Sequence, residues 1–117
     1  MQFDESLVGS VLVLGVVESR LDSKNGAELK QAMTDVVSRG HRRVLMDLTQ
    51  VGFIDSTGLG ALVTCLKLLG KHGELALCGL SDPVLSLIRL TRMDRVFHTY
   101  PSRAEGLAAL STSVRAG

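Results

Sequence analysis

The sequence predicts an α/β fold: one domain with a mixed, mainly parallel β-sheet, an N-terminal hairpin and about four helices. Apolar runs typical of buried strands alternate with helical apolar patterns along the chain. Gly9 and Ser10 lie between the first two runs and favour a tight antiparallel hairpin. The chain has 117 residues, of which 45% are hydrophobic and only 3% aromatic. A single domain over residues 1–117 can therefore bury an aliphatic core without added cross-links.

Capping residues and apolar spacing set the expected element boundaries. Asp22 or Ser23 can cap the first helix, which Gly40 ends in the C′ position. Ser102 and Glu105 form a capping box for the last helix, whose apolar side reaches Val114. Strands are expected over residues 2–7, 11–17, 44–48, 74–79 and 96–99, a central helix between residues 56 and 70, and a third helix from Ser81-Asp82-Pro83.

The segment over residues 53–60 joins a buried strand to the central helix and carries an acid, two hydroxyls and two glycines. Ser56 occupies the expected N-cap position, where its hydroxyl would accept a hydrogen bond from the N–H of Gly58 or Leu59. The start of a helix also favours a phosphate, because backbone donors and the helix dipole both point toward it. An ordinary cap and a phosphorylation switch therefore both fit the spacing of Ser56.

The central helix has an apolar arc wider than one sheet contact requires. Leu59 and Leu62 belong to the side expected to face the sheet, whereas Gly60 belongs to the solvent side. A third face is small and apolar, so that either a neighbouring helix covers it or a partner docks on it. This face consists of Gly58, Ala61, Cys65, Leu68 and His72.

Composition argues against several classes of function. The net charge is +1, without a basic stripe, and aromatic residues are scarce, so nucleic-acid binding is not expected. Asp4 and Glu5 interrupt any secretion signal, and no apolar stretch is long enough for a membrane span. Cys65 and Cys78 lack metal-ligand spacing and indicate reduced, buried thiols in a cytoplasmic protein. No cofactor, metal site or catalytic set is expected, because the three histidines are scattered.

The motif Val51-Gly52-Phe53-Ile54-Asp55-Ser56-Thr57-Gly58-Leu59-Gly60, preceded by Asp47-Leu48, resembles the signature of the anti-sigma factor antagonists of the STAS domain family. The resemblance extends to Leu21-Asp22 and to the segments over residues 81–84, 90–97 and 102–105. It covers nearly the whole chain, and the Asp-Ser-Thr-Gly loop is its most specific part.

The resemblance implies partner switching. The unmodified protein would bind an anti-sigma factor that is also a serine kinase of the histidine-kinase-like ATPase fold. Phosphorylation of Ser56 would release that partner, and a PP2C-type phosphatase would restore binding. Asp22, Asp55 and Gly58 would flank the acceptor, and Thr57 is a weaker second acceptor. The free protein is expected to be a monomer that is not an enzyme. The expected partner-binding residues are Asp22, Ser56, Thr57, Gly58, Gly60, Ala61, Cys65 and Leu68.

The sequence leaves several alternatives to this interpretation open. A STAS domain can be a scaffold that is never phosphorylated, or can switch a target other than a sigma factor. A two-component receiver has a similar length and could use Asp47 as its acceptor, but the acidic pair and the late lysine of receivers are missing. An aspartic protease loop resembles Asp-Ser-Thr-Gly, but the extra residue and the helix that follows directly argue against it.

Overall fold

The computed structural model describes residues 1–112, and the predicted place of Val114 on the last helix lies outside them. The chain forms β1 (Gln2–Val8), β2 (Val11–Val17), β3 (Arg20–Leu21), α1 (Gly26–Ser38), β4 (Arg43–Asp47), β5 (Phe53–Ile54), α2 (Ser56–Leu69), β6 (Glu74–Cys78), α3 (Asp82–Leu90), a 3-10 helix (Met93–Arg95), β7 (His98–Tyr100) and α4 (Arg103–Thr112).

Five strands form the main sheet in the order β1-β2-β4-β6-β7. The first two strands pair antiparallel, and every other pairing in this sheet is parallel. Gly9 has a φ of +61°, as the first position of the predicted two-residue hairpin turn requires. The predicted mixed, mainly parallel sheet with an N-terminal hairpin and four helices is therefore confirmed.

The main sheet is covered on both faces. The first, second and third helices pack on one face against alternate strand residues such as Leu14, Met46 and Leu77. The last helix places Leu110 on the opposite face, where it packs with Val13 and Leu45. Strands buried on both sides read as continuous apolar runs, which is why the sequence revealed them.

Asp47 and Arg103 connect the last helix to the carboxyl end of β4. The Arg103 guanidinium donates to Oδ2 of Asp47 from Nε at 3.0 Å and from Nη2 at 2.8 Å. The Thr49 N–H donates to Oδ1 at 2.9 Å, and the Thr49 hydroxyl donates to the same oxygen. Burial disfavours the charged carboxylate, but the bonds from Thr49 and Arg103 outweigh it and lower the pKa of Asp47. Both carboxylate oxygens of Asp47 are thus engaged in contacts within the fold, which argues against its use as the acceptor of a receiver.

The start of α1 differs from the sequence expectation. The helix begins at Gly26 with Asn25 as its N-cap, and neither Asp22 nor Ser23 caps it. The Asp22 carboxylate instead accepts a bond from the Lys24 N–H at 3.0 Å, which closes a turn before the helix. Short polar side chains compete for such local bonds, so the first strong capping residue in a sequence need not be the one that caps.

One other boundary also differs from expectation, whereas two predicted helix-end residues are confirmed. The last strand begins at His98 and not at residue 96, because Met93–Arg95 forms a 3-10 turn and Phe97 faces the core. At the last helix the predicted cap is present, since the Ser102 hydroxyl accepts a bond from the Glu105 N–H at 3.2 Å. Gly40 lies directly after the C-cap of α1 with a φ of +96°, as predicted.

Candidate functional site

The N-cap of α2 is Asp55 and not Ser56, which corrects the sequence prediction. Asp55 has an extended backbone, with φ −110° and ψ −175°, and its Oδ1 accepts a bond from the Gly58 N–H at 2.8 Å. Ser56 is therefore the first helical residue. Aspartate and serine are comparable N-cap residues, so composition alone does not fix which of the two adjacent residues takes the role.

A second segment of the chain lies against this loop. The two-residue strands β3 and β5 pair in parallel, so that Leu21 lies opposite Ile54. The Leu21 carbonyl then accepts a bond from the Asp55 N–H at 3.3 Å. Because Asp22 follows Leu21 directly, the pairing brings the two acidic positions predicted to flank the acceptor to one site.

Gly58 allows this close approach. A Cβ built on Gly58 would lie 2.2 Å from the Leu21 carbonyl oxygen and 2.8 Å from its carbonyl carbon. These atoms belong to backbone that Asp55 also holds, so they have little freedom to move away. The role of Gly58 is therefore to let the first turn of α2 rest on the end of β3.

Ser56 and Thr57 are both exposed at the first two positions of the helix, whereas Asp55 is half-buried. The Asp55 carboxylate takes the role of the cap. Ser56 is therefore an exposed residue whose side chain is not required to cap the helix. A group added there would lie at the positive end of the helix dipole and beside the Asp55 carboxylate.

Asp22 is held by its neighbours and is largely shielded. Its side chain is 13% exposed, and its Oδ2 lies 3.4 Å from Nε of Arg20. The Asn25 side chain cross-links the same turn, since its Oδ1 accepts from the Asp22 N–H at 2.9 Å and its Nδ2 donates to the Arg20 carbonyl at 2.7 Å. Sequence reasoning missed Arg20 and Asn25, because a two-residue strand has no periodic pattern to reveal it.

The third face of α2 is covered by α1, which is one of the two alternatives left open by the sequence, and this corrects the expectation that Ala61 and Cys65 bind a partner. Ala61 is 3% exposed and Cys65 is fully buried, and a Cβ on Gly26 of α1 would lie 3.4 Å from the Ala61 Cβ. Burial raises the pKa of the Cys65 thiol to about 12, so it stays protonated and unreactive. Leu68 is half-buried and Gly60 is exposed. Neither Ala61 nor Cys65 can contact a partner in this structure.

We expect Ala61→Leu to destabilise the protein by about 2 kcal/mol, because the larger side chain overpacks the contact between α1 and α2. Chemical denaturation monitored by circular dichroism measures this loss. Lys67→Leu is the matched control, since Lys67 lies on the exposed side of the same helix. Equal stability of the two variants would contradict the conclusion that α1 covers this face of α2.

The described part of the chain shows no other candidate centre. Among residues 1–112, no three histidine, cysteine, aspartate or glutamate side chains converge as a metal ion would require. Nor does any helix in this range combine the length and the apolar character that a bilayer crossing demands. Cys78 is buried like Cys65, and its burial raises the pKa of the thiol to about 11.

Comparison with known proteins agrees with this architecture. The family model described as the STAS domain matches residues 7–106. The anti-sigma-B factor antagonist of Staphylococcus aureus is 34% identical over 83 residues, which are 70% of this chain and 77% of the relative. The crystal structure of an anti-sigma factor antagonist from Mycobacterium paratuberculosis is similar with a TM-score of 0.85 and 26% identity, covering 94% of this chain and 93% of that one. The Bacillus cell fate determinant SpoIIAA, in its phosphorylated form, shares the fold with a TM-score of 0.70 and 14% identity. The match covers 93% of this chain and 99% of that one.

Proposed function

This chain belongs to the STAS domain family, and from that premise we propose that it is an anti-sigma factor antagonist that works by partner switching. With Ser56 unmodified, it binds an anti-sigma factor that is also a serine kinase of the histidine-kinase-like ATPase fold. Phosphorylation of Ser56 releases that partner, and a PP2C-type phosphatase restores binding. The protein acts as a monomer in the cytoplasm, where the kinase has access to ATP.

The observation that carries this proposal is the exposed Ser56 at the first position of α2, beside a carboxylate that already caps the helix. Phosphate would add about −1.5 to −2 charges at neutral pH. The helix dipole offsets part of the cost to the fold, typically about 0.3–1 kcal/mol. The neighbouring Asp55 carboxylate makes the added charge a concentrated negative patch, and a partner surface that fits the neutral serine would no longer fit it.

The fold-level comparison supports tolerance of the modification. SpoIIAA has this fold in its phosphorylated form, so the fold itself is compatible with a phosphoprotein. The family relatives are regulatory binding proteins, in keeping with a role as a kinase substrate and not as an enzyme. Thr57 is also exposed, one residue further along, and remains the weaker candidate acceptor.

We expect Ser56→Asp to weaken binding to the partner kinase about 100-fold or more, because like charges brought together at an interface cost several kcal/mol. Each serine kinase of the histidine-kinase-like ATPase fold encoded in the same genome is purified and titrated against wild type, Ser56→Ala and Ser56→Asp by isothermal calorimetry. Ser56→Ala should bind like wild type. Ser86→Asp, which places the same charge on an exposed position of α3, is the matched control.

The covalent step is tested separately by incubating the protein with the binding kinase and ATP. Intact-mass and peptide mass spectrometry should show one phosphate on Ser56 and none on Ser56→Ala. Absence of any binding kinase in the panel, or a phosphate on another residue, would contradict the proposed function.

A further inference from the structure

Arg20 and Phe53 form an exposed pair beside the Ser56 loop. They lie opposite each other in the parallel pairing of β3 and β5, and the Arg20 guanidinium lies over the Phe53 ring, 4.1 Å from its centroid. The same two strands lead directly into the turn at Asp22 and into the loop at Asp55. The pair is therefore continuous with the proposed partner-binding site.

Phe53 is unusual among the aromatic residues of this chain. It is 39% exposed, whereas Phe97 is buried and Phe3 and Tyr100 are half-buried. Its neighbour Ile54 faces the core, so the alternation of the strand turns Phe53 outward. An aromatic side chain can bury about 150–250 Å² when it is covered, and this ring leaves part of that area open at the site.

Hydrogen bonds also hold the backbone of both residues in place. The Phe53 N–H donates to the Ser19 carbonyl at 3.2 Å, and the Asn25 side chain holds the Arg20 carbonyl at 2.7 Å. Stacking on the ring further restricts the Arg20 side chain. A contact surface that is ordered before binding loses little conformational entropy when a partner docks.

The Arg20 guanidinium retains donor capacity for a partner. Its side chain is 58% exposed, and its contact with Asp22 is a long one from Nε, at 3.4 Å. A guanidinium has five N–H donors in a fork that matches a carboxylate with two parallel bonds. The outer edge of this guanidinium can therefore take a carboxylate while the ring beside it takes an apolar side chain.

We propose that Arg20 and Phe53 are the affinity anchor of the partner interface, and that the kinase meets them with a carboxylate next to an apolar side chain. This inference rests on the proposed function, since it names residues of the same interface. Ser56 then decides whether the partner can bind, and the stacked pair supplies much of the affinity when it can. Arginine and large aromatic residues are the types that dominate the energetics of interfaces.

The test measures the dissociation constant of the kinase that binds wild type, by isothermal calorimetry. We expect Phe53→Ser to weaken binding about 30-fold or more and Arg20→Gln about 10-fold. Arg20→Lys, which keeps the charge but loses the planar fork, should restore only part of the affinity. Leu7→Ser is the matched control, because Leu7 is 60% exposed and pairs with Leu12 at the amino end of β2, at the opposite end of the sheet.

The outcomes separate the two proposals. If Ser56→Asp abolishes binding while Phe53→Ser and Arg20→Gln behave like the Leu7→Ser control, the anchor is wrong and the switch stands. If no kinase in the panel binds wild type, the proposed function fails and the anchor fails with it. Circular dichroism melting of each variant shows whether it is folded, and the Arg20→Lys variant provides a second reading if Phe53→Ser is not.

Discussion

Gly58→Ala should destabilise the protein by about 3 kcal/mol, which corresponds to a fall in melting temperature of roughly 12 °C for a domain of this size. The added Cβ would lie 2.2 Å from the Leu21 carbonyl oxygen, well inside van der Waals contact. The obstructing atoms are backbone, and Asp55 is hydrogen-bonded to the same carbonyl. The strain can be relieved only by lifting α2 off the end of β3.

Gly60→Ala is the matched control for this substitution. Gly60 lies in the same helix two residues further on, it is exposed, and no atom lies within 4 Å of a Cβ built there. Alanine at an open position within a helix should stabilise by about 0.5–1 kcal/mol. Thermal denaturation of both variants should therefore give shifts of opposite sign. A neutral Gly58→Ala would show that the contact with Leu21 is not needed.

Asp47→Asn should cost about 2 kcal/mol near neutral pH, because it weakens hydrogen bonds from the Arg103 guanidinium and from Thr49. The Arg103 side chain is partly exposed, so solvent screens its attraction to Asp47 and limits the loss of stability. Urea denaturation measures it. Asp94→Asn, at an exposed position of the 3-10 turn, should change stability by less than about 0.5 kcal/mol.

The same contact predicts a pH dependence of defined sign. The pKa of Asp47 is lower in the folded protein than in the unfolded chain, where it is about 3.9. The carboxylate therefore contributes its full stabilisation above that value and loses it as the pH falls through the folded-state pKa. The gap between wild type and Asp47→Asn should be constant from pH 7 to pH 5 and should narrow at lower pH. A gap that widens in acid would contradict the assignment.

Most of the architecture could be predicted because long elements leave periodic patterns. The buried runs of β2 and β4 and the apolar spacing of α1 identified the sheet and its covering helices. A glycine in first position correctly marked the hairpin turn at Gly9. The short strands β3 and β5 were missed, because a pair of residues carries no period, although their pairing organises the site.

The candidate site was predicted in its location but not in its details. Asp55 and Ser56 were identified as adjacent polar residues, yet the backbone angles decide which one is the cap. Ala61 and Cys65 were named as partner-binding residues while cover by a neighbouring helix was left open, because small residues serve equally well for close packing of two helices; the structure shows the cover. Arg103 lies 56 positions from Asp47, so no local pattern could have linked them.

The contact between the first turn of α2 and the Leu21 carbonyl bears on how the proposed phosphorylation of Ser56 would affect a partner. The first turn of the helix is in close contact with the Leu21 backbone, which leaves it little room to slide or tilt at that end. A change of charge at this end would then be felt as a field at the surface and not as a displacement. Dissolved ions screen such a field over about 8 Å at physiological ionic strength. A high salt concentration should therefore reduce the difference in partner affinity between the unmodified and the phosphorylated protein, while leaving the fold intact.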